Sequence, residues 1–271
     1  MTAGTLVAYR WEVRKLLAQK RTYIGIGAAA ILPVVFVTVM GLQSGGPYDV
    51  PLGHNLRRTG LSITVVVLTF ASRFGAQLVT ALVAGDIVAA EDTNGTLKTI
   101  LTRSLRRGQI LGGKLLASLT YVLALLAALG ISGVVSGTIA WGWRPLVTLS
   151  HVRISAAHAL GLTAAALAVF AMTLAAVAAF ALFLSVATRN SAGSIVGALV
   201  WALTWEAIGG LVHGAWTKYT LGKQLDAWQA VFHSPVQWTE IGRCAWVSAL
   251  YAVIPLVAAW WIFGRRDVAG E

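Results

Sequence analysis

The chain is short of charge, short of acid and nearly without cysteine. Only 11% of its 271 residues are Asp, Glu, Lys or Arg, and ten of these are acidic. An ordinary soluble domain carries roughly 25% charged residues. So little charge cannot cover a globular surface with solvated groups, which excludes a soluble fold and makes lipid the solvent over a large area. A single cysteine, Cys244, excludes a disulfide framework and a thiolate metal site. No His-Glu-x-x-His or Gly-x-Ser-x-Gly pattern is present, so no catalytic residues are expected and no metal. Residues 1–22 mix Arg10, Arg14, Lys15, Lys20 and Arg21 with apolar residues, and a cleavable signal peptide is not expected there.

What the chain has instead is 57% hydrophobic residues, gathered into long runs. A spanning helix needs about 20 mostly apolar residues. Six runs qualify: 24–42, a second that starts within 61–70 and ends near Ala90, then 115–139, 158–187, 193–213 and 245–263. The expected fold is therefore an all-α polytopic membrane protein, residues 1–271 forming one transmembrane domain.

Twenty-one basic residues do not point to nucleic acid, because they sit in the short polar breaks between runs. Thirteen fall on the side holding both termini and seven on the other. By the positive-inside rule both termini are cytoplasmic. Trp141, Trp143, Trp216 and Trp246 fall near outer ends and Trp260 and Trp261 near an inner one, as an aromatic belt would.

Three segments exceed what a bare bundle needs. Within 1–22, residues 5–21 read as an interfacial helix, with Leu6, Tyr9, Val13, Leu16 and Leu17 on one face. Segment 91–114, EDTNGTLKTILTRSLRRGQILGGK, is far longer than a simple helix connection. It offers a short apolar pattern of Leu97, Ile100 and Leu101 among basic residues, with Ser104 as the cap of a helix leading into the third span. Segment 214–243 is an outer stretch that either lies on the surface or re-enters the outer leaflet.

Gly108, Gly113 and Lys114 fit the G-x-x-x-x-G-K phosphate loop, but Leu115 replaces the required Ser or Thr and no strand precedes the glycine. The chain is not expected to hydrolyse nucleotide. Gly193 and Gly197 form a small-x-x-x-small pair. Arg73 and Glu206 are ionisable groups inside spans, at depths that differ by about 4–5 Å. They either pair across the bundle or Arg73 snorkels outward. Trp201, Thr204 and Trp205 near Glu206 read as a substrate route or as simple packing.

The order of these parts resembles the membrane-spanning subunits of type-2 ABC transporters, the permeases that include bacterial antibiotic exporters. The resemblance covers nearly the whole chain. Its most specific part runs from Glu91 through Gly95-Thr96-Leu97 and Thr102-Arg103 to Gly113-Lys114. It implies that 91–114 is a cytoplasmic coupling helix, with Glu91, Asp92, Thr96, Leu97, Ile100, Leu101, Arg103, Arg106 and Arg107 meeting a separate ATPase subunit. It further implies two ATPase copies holding ATP and Mg, no cofactor in this chain, and a second permease copy or a similar partner. Arg73, Trp201, Thr204, Trp205 and Glu206 would then border the translocation path in a bacterial plasma membrane. Arg73 itself is not required by the family pattern. The alternative is a secondary carrier driven by an ion gradient through Arg73 and Glu206.

Overall fold

The computed structural model describes residues 3–42, 51–53, 57–95, 105–212 and 214–265. Six helical stretches in it are long and apolar enough to cross a membrane. The chain starts with α1 (Ala3–Ala18) and α2 (Lys20–Leu42). The second span is built of α3 (Ser62–Phe70), a π-helical turn (Ala71–Gly75) and α4 (Ala76–Thr93). Then come α5 (Arg107–Trp141), a hairpin of β1 (Leu146–Val147) and β2 (Arg153–Ile154), α6 (Ala156–Thr188) and α7 (Ser191–Leu211). A segment with a 3-10 turn (Thr217–Tyr219), α8 (Leu221–Leu225) and a second 3-10 turn (Ala227–Phe232) leads into α9 (Trp238–Gly264). The end of the bundle where α1 lies is called the terminal end below, and the opposite one the far end.

α6 is at the centre, packed against α4, α5, α7 and α9, while α2 flanks α5 and α3. Its burial follows from composition, since Ala176, Ala178, Ala179 and Ala181 have no bulk to keep neighbours away. α2, α7 and α9 turn residues such as Ile24, Val196 and Ile254 outward, as helices solvated by lipid do.

The helices run past the apolar windows at several ends. α5 begins at Arg107, eight residues before the window that opens at 115, because Gln109 caps it: its side-chain oxygen accepts from the Arg106 backbone N–H at 3.0 Å. Ser104, the expected cap, lies outside the described residues, and the described helix has Arg106 as its N-cap. α9 begins at Trp238 rather than 245, ahead of the i,i+3 pair Glu240–Arg243 in its first turns.

Of the Gly193/Gly197 pair, Gly197 is in close contact with α6, where an added Cβ would lie 2.9 Å from Leu184 Cδ1, while Gly193 meets only Asn190, the N-cap of its own helix. A second close approach is at Gly85, where an added Cβ would lie 3.2 Å from the Ile195 backbone nitrogen, and Ser194 Oγ donates to the Gly85 carbonyl at 2.5 Å. Segment 214–243 folds back against the bundle. Thr173, near the middle of α6, donates to the Gln224 carbonyl at 3.1 Å, and Trp228 and Phe232 are wholly buried.

Candidate functional site

Two groups of opposed charges lie within the helices, and they differ in level and exposure. The first is at the terminal end. Lys114 is fully buried, and its Nζ donates to Glu12 Oε1 at 3.0 Å and to the Ile87 carbonyl at 2.9 Å, and lies 2.6 Å from Glu91 Oε2. Lys15 pairs with Glu12 at 2.8 Å and with Glu91. Arg21 at the head of α2 pairs with Asp86 of α4. Burial alone would pull the Lys15 ammonium down, but Glu12 and Glu91 beside it reverse this and hold it above the ordinary lysine value.

The glycine before Lys114 makes the arrangement possible. A Cβ on Gly113 would sit 2.6 Å from Ala8 Cβ, so only glycine lets α1 come this close to α5. The imitation of a phosphate loop is therefore a helix crossing with a buried lysine below it. α1 accordingly buries Ala8, Glu12 and Leu16 and leaves Leu6 and Leu17 exposed. Of the expected face, Leu16 is buried and Tyr9 and Val13 pack partly buried against the core, with Glu12 beside them reaching Lys114.

The second group lies in the far half of the second span. Arg73 Nη1 is 3.5 Å from Glu206 Oε1 and its Nη2 is 3.4 Å from Asp226 Oδ2. Gln77 Nε2 donates to Glu206 Oε2 at 3.2 Å. The π-turn carries Arg73, and the backbone groups it loosens are taken up locally. Ser72 Oγ donates to the Thr69 carbonyl at 2.9 Å, and Gln77 Nε2 donates to the Ser72 carbonyl at 2.8 Å. π-turns inside α-helices are frequent at functional sites. Phe70, Phe74 and the Arg73 side chain, 55% exposed, stand outward here between α2, whose Phe36 ring is 5.6 Å from that of Phe70, and α7. Asp226 is reached because Gly222 lies directly against the Trp205 carbonyl, where a Cβ would overlap. Burial pushes the Asp226 carboxyl up from its ordinary value, against the pull of Arg73 and Lys223.

The family described as protein of unknown function DUF2705 matches residues 26–269. The chain belongs to this family. The match takes in Arg73, Asp86, Glu91, Lys114, Glu206 and Asp226 and leaves α1 outside it. No curated protein matches the chain.

In this DUF2705 protein the residues expected to act together are only partly brought together. Arg73 and Glu206 do pair. Thr204 is exposed and donates to the Val200 carbonyl at 2.7 Å. Trp201 stacks on Phe180 with ring centroids 4.1 Å apart, and Trp205 meets the Tyr251 ring edge-on at 5.3 Å, so both tryptophans pack against α6 and α9. Glu91 turns inward to Lys15 and Lys114. Asp92 is 3.8 Å from Arg189 Nε, and Arg107 donates to the Gly264 carbonyl at 2.8 Å. Thr96, Leu97, Ile100, Leu101 and Arg103 lie outside the described residues.

Sequence reasoning missed Glu12, Asp86, Gln77 and Asp226, and met Lys114 only in the phosphate-loop imitation and in the resemblance. Two carried a readable signal. Asp86 lies inside an apolar run, and Glu12 is the only acid among residues 1–22, set among five basic residues. Among the described residues there is no group of three or more His, Cys, Asp or Glu placed to hold a metal ion.

Proposed function

We propose that the chain is the transmembrane subunit of an ATP-driven exporter of the type-2 ABC kind, forming the translocation path and working with a separate ATPase. The observation that carries the reading is the half-exposed Arg73 inside the far half of the second span. A charge at the centre of a bilayer costs about 2.5–3.5 kcal/mol on insertion scales, so such residues face water or protein rather than lipid. The face between α2 and α7 is then a boundary of the path, closed by a second copy or a similar permease. The resemblance of segment 91–114 to the coupling segments of such permeases supplies the rest.

In this reading the terminal end is cytoplasmic, α1 lies at the inner membrane surface, and two ATPases with ATP and Mg dock below it in a bacterial plasma membrane. Segment 214–243 re-enters the outer leaflet. Glu91 transmits force from within the bundle. ATP-driven closure of the ATPases shifts the equilibrium between two arrangements of the spans because nucleotide favours one of them.

Two experiments test this. The isolated chain is expected to hydrolyse no ATP and to co-purify with a cognate ATPase. Changing Leu97, Ile100 and Leu101 together to Ala is expected to abolish that co-purification without lowering the melting temperature, since a few apolar side chains carry most of such a contact. ATP hydrolysis by the isolated chain would refute the reading. Uptake into proteoliposomes driven by an ion gradient alone, and lost on Glu206→Gln, would establish the secondary carrier instead.

A further inference from the structure

A polar cleft of about 370 Å³ lies at the far end, between the 217–230 stretch and the start of α9. Lys218, Lys223, Arg243 and His233 line it together with Asp226 and Glu240. Arg243 is already paired with Glu240. Lys218 lies over the Tyr219 ring at 5.1 Å. Among the described residues neither Lys218 nor Lys223 has a carboxylate in ion-pair contact, and both are exposed. Two ammonium groups thus stand over the cleft outside ion-pair contact, and Lys223 acts on the Asp226 carboxyl only from a longer distance.

The level of the cleft is set by aromatic residues. Trp216, Tyr219, Trp238 and Trp246 are all exposed around it. Exposed tryptophan and tyrosine sit at the headgroup level of a membrane, where ring and polar tip both find their solvent. What passes that level carrying negative charge is, above all, phosphate. Lysine binds it as a point charge.

We propose that this cleft is a binding site for the phosphate group of a membrane amphiphile, held by Lys218 and Lys223. The site has a built-in connection to the rest of the molecule. Asp226 lies in the cleft and is also a partner of Arg73. Lys223 favours the charged form of Asp226, as Arg73 does. A phosphate that occupies Lys223 leaves Asp226 to Arg73 alone and so draws Arg73 away from Glu206. The site stands on the geometry of the far end and does not require the chain to be an ABC permease.

Native mass spectrometry of the detergent-solubilised chain tests it, with dihexanoyl phosphatidic acid as the probe. Dihexanoylglycerol, which has the same chains and no phosphate, and inorganic phosphate complete the set. One bound phosphatidic acid and no bound dihexanoylglycerol are expected. Lys218→Gln and Lys223→Gln should each weaken binding about fivefold, the worth of one basic group at an anionic surface. Lys218→Arg with Lys223→Arg should restore it. Arg153→Gln, which removes an exposed cation at the same end but outside the cleft, should change nothing. Competition by inorganic phosphate at equal concentration would identify free phosphate as the source of the group; its failure to compete identifies the amphiphile. Equal binding of dihexanoylglycerol, or undiminished binding by the double Gln variant, would overturn the site. The ATPase takes no part in this measurement, so its outcome and that of the co-purification are independent.

Discussion

Lys114 and Arg73 each stand between two carboxylates, yet the two groups are built on different terms. At the terminal end the contacts of Lys114 lie between 2.6 and 3.0 Å, the lysine side chain is 0% exposed, and its two carboxylates are 7% and 10% exposed. In the far half the contacts are 3.4 and 3.5 Å, and the arginine is 55% exposed. A buried charge with short contacts on every side joins helices, here α1, α4 and α5. A half-exposed one held loosely by two acids has room to exchange partners. The first group reads as structure and the second as a working part.

The largest expected effect comes from breaking the closed group. Lys114→Met takes the buried cation from Glu12 and Glu91 and leaves them the partly exposed Lys15, and breaking a buried pair typically costs about 3–5 kcal/mol. A clear fall in melting temperature in detergent, or loss of expression, is expected. Adding Glu12→Gln should recover part of it, because the uncompensated charge rather than the lost contact causes most of the damage. A Lys114→Met protein as stable as the parent would show that the terminal cluster holds nothing together.

Arg73→Gln is expected to behave in the opposite way. A loosely held, half-exposed pair contributes about 0–1 kcal/mol, so melting temperature should stay nearly unchanged. Transport in proteoliposomes containing the ATPase should be lost all the same. If Arg73→Gln costs as much stability as Lys114→Met, the contrast between the two groups is false.

The two groups were unequally legible in the sequence. The six spans follow from apolar runs, and the Arg73–Glu206 pair could be found because each is an isolated ionisable residue in such a run at matching depth. Depth along a helix is arithmetic at 1.5 Å per residue. Lys114 could not be found in this way. It stands at the edge of a run, next to other basic residues, and the crossing of α1 at Gly113 encloses it. Asp226 was hidden for a similar reason, since it comes from a connecting segment that folds back on the bundle. The π-turn was invisible because its sequence, ASRFG, contains no proline and reads as ordinary helix.

The smallest expected effects are in pH, and they have opposite directions. Lys15 has a raised pKa in the fold, so its contribution to docking α1 is complete below the ordinary lysine value of 10.5 and is lost only as pH rises through the higher folded value. A spin label at Leu17→Cys, on the exposed side of α1, should show constant mobility from neutral pH to about 10 and more motion above the folded value. Asp226 also has a raised pKa, but it is an acid. Its protonated form is the one the fold favours, so its contribution is complete below the ordinary value of 3.8 and is lost as pH rises through the folded value. Above the folded value the fold therefore holds an Asp226 carboxylate that burial disfavours. Asp226→Asn should leave melting temperature at pH 7 unchanged or slightly higher, and should flatten its dependence on pH at the acid side. The same substitution removes one of Arg73's two acids, so transport should fall while stability does not. A drop in melting temperature at pH 7 on Asp226→Asn would mean that the Arg73–Asp226 contact outweighs the burial of the carboxylate, and that the far group holds the bundle together much as the terminal one does.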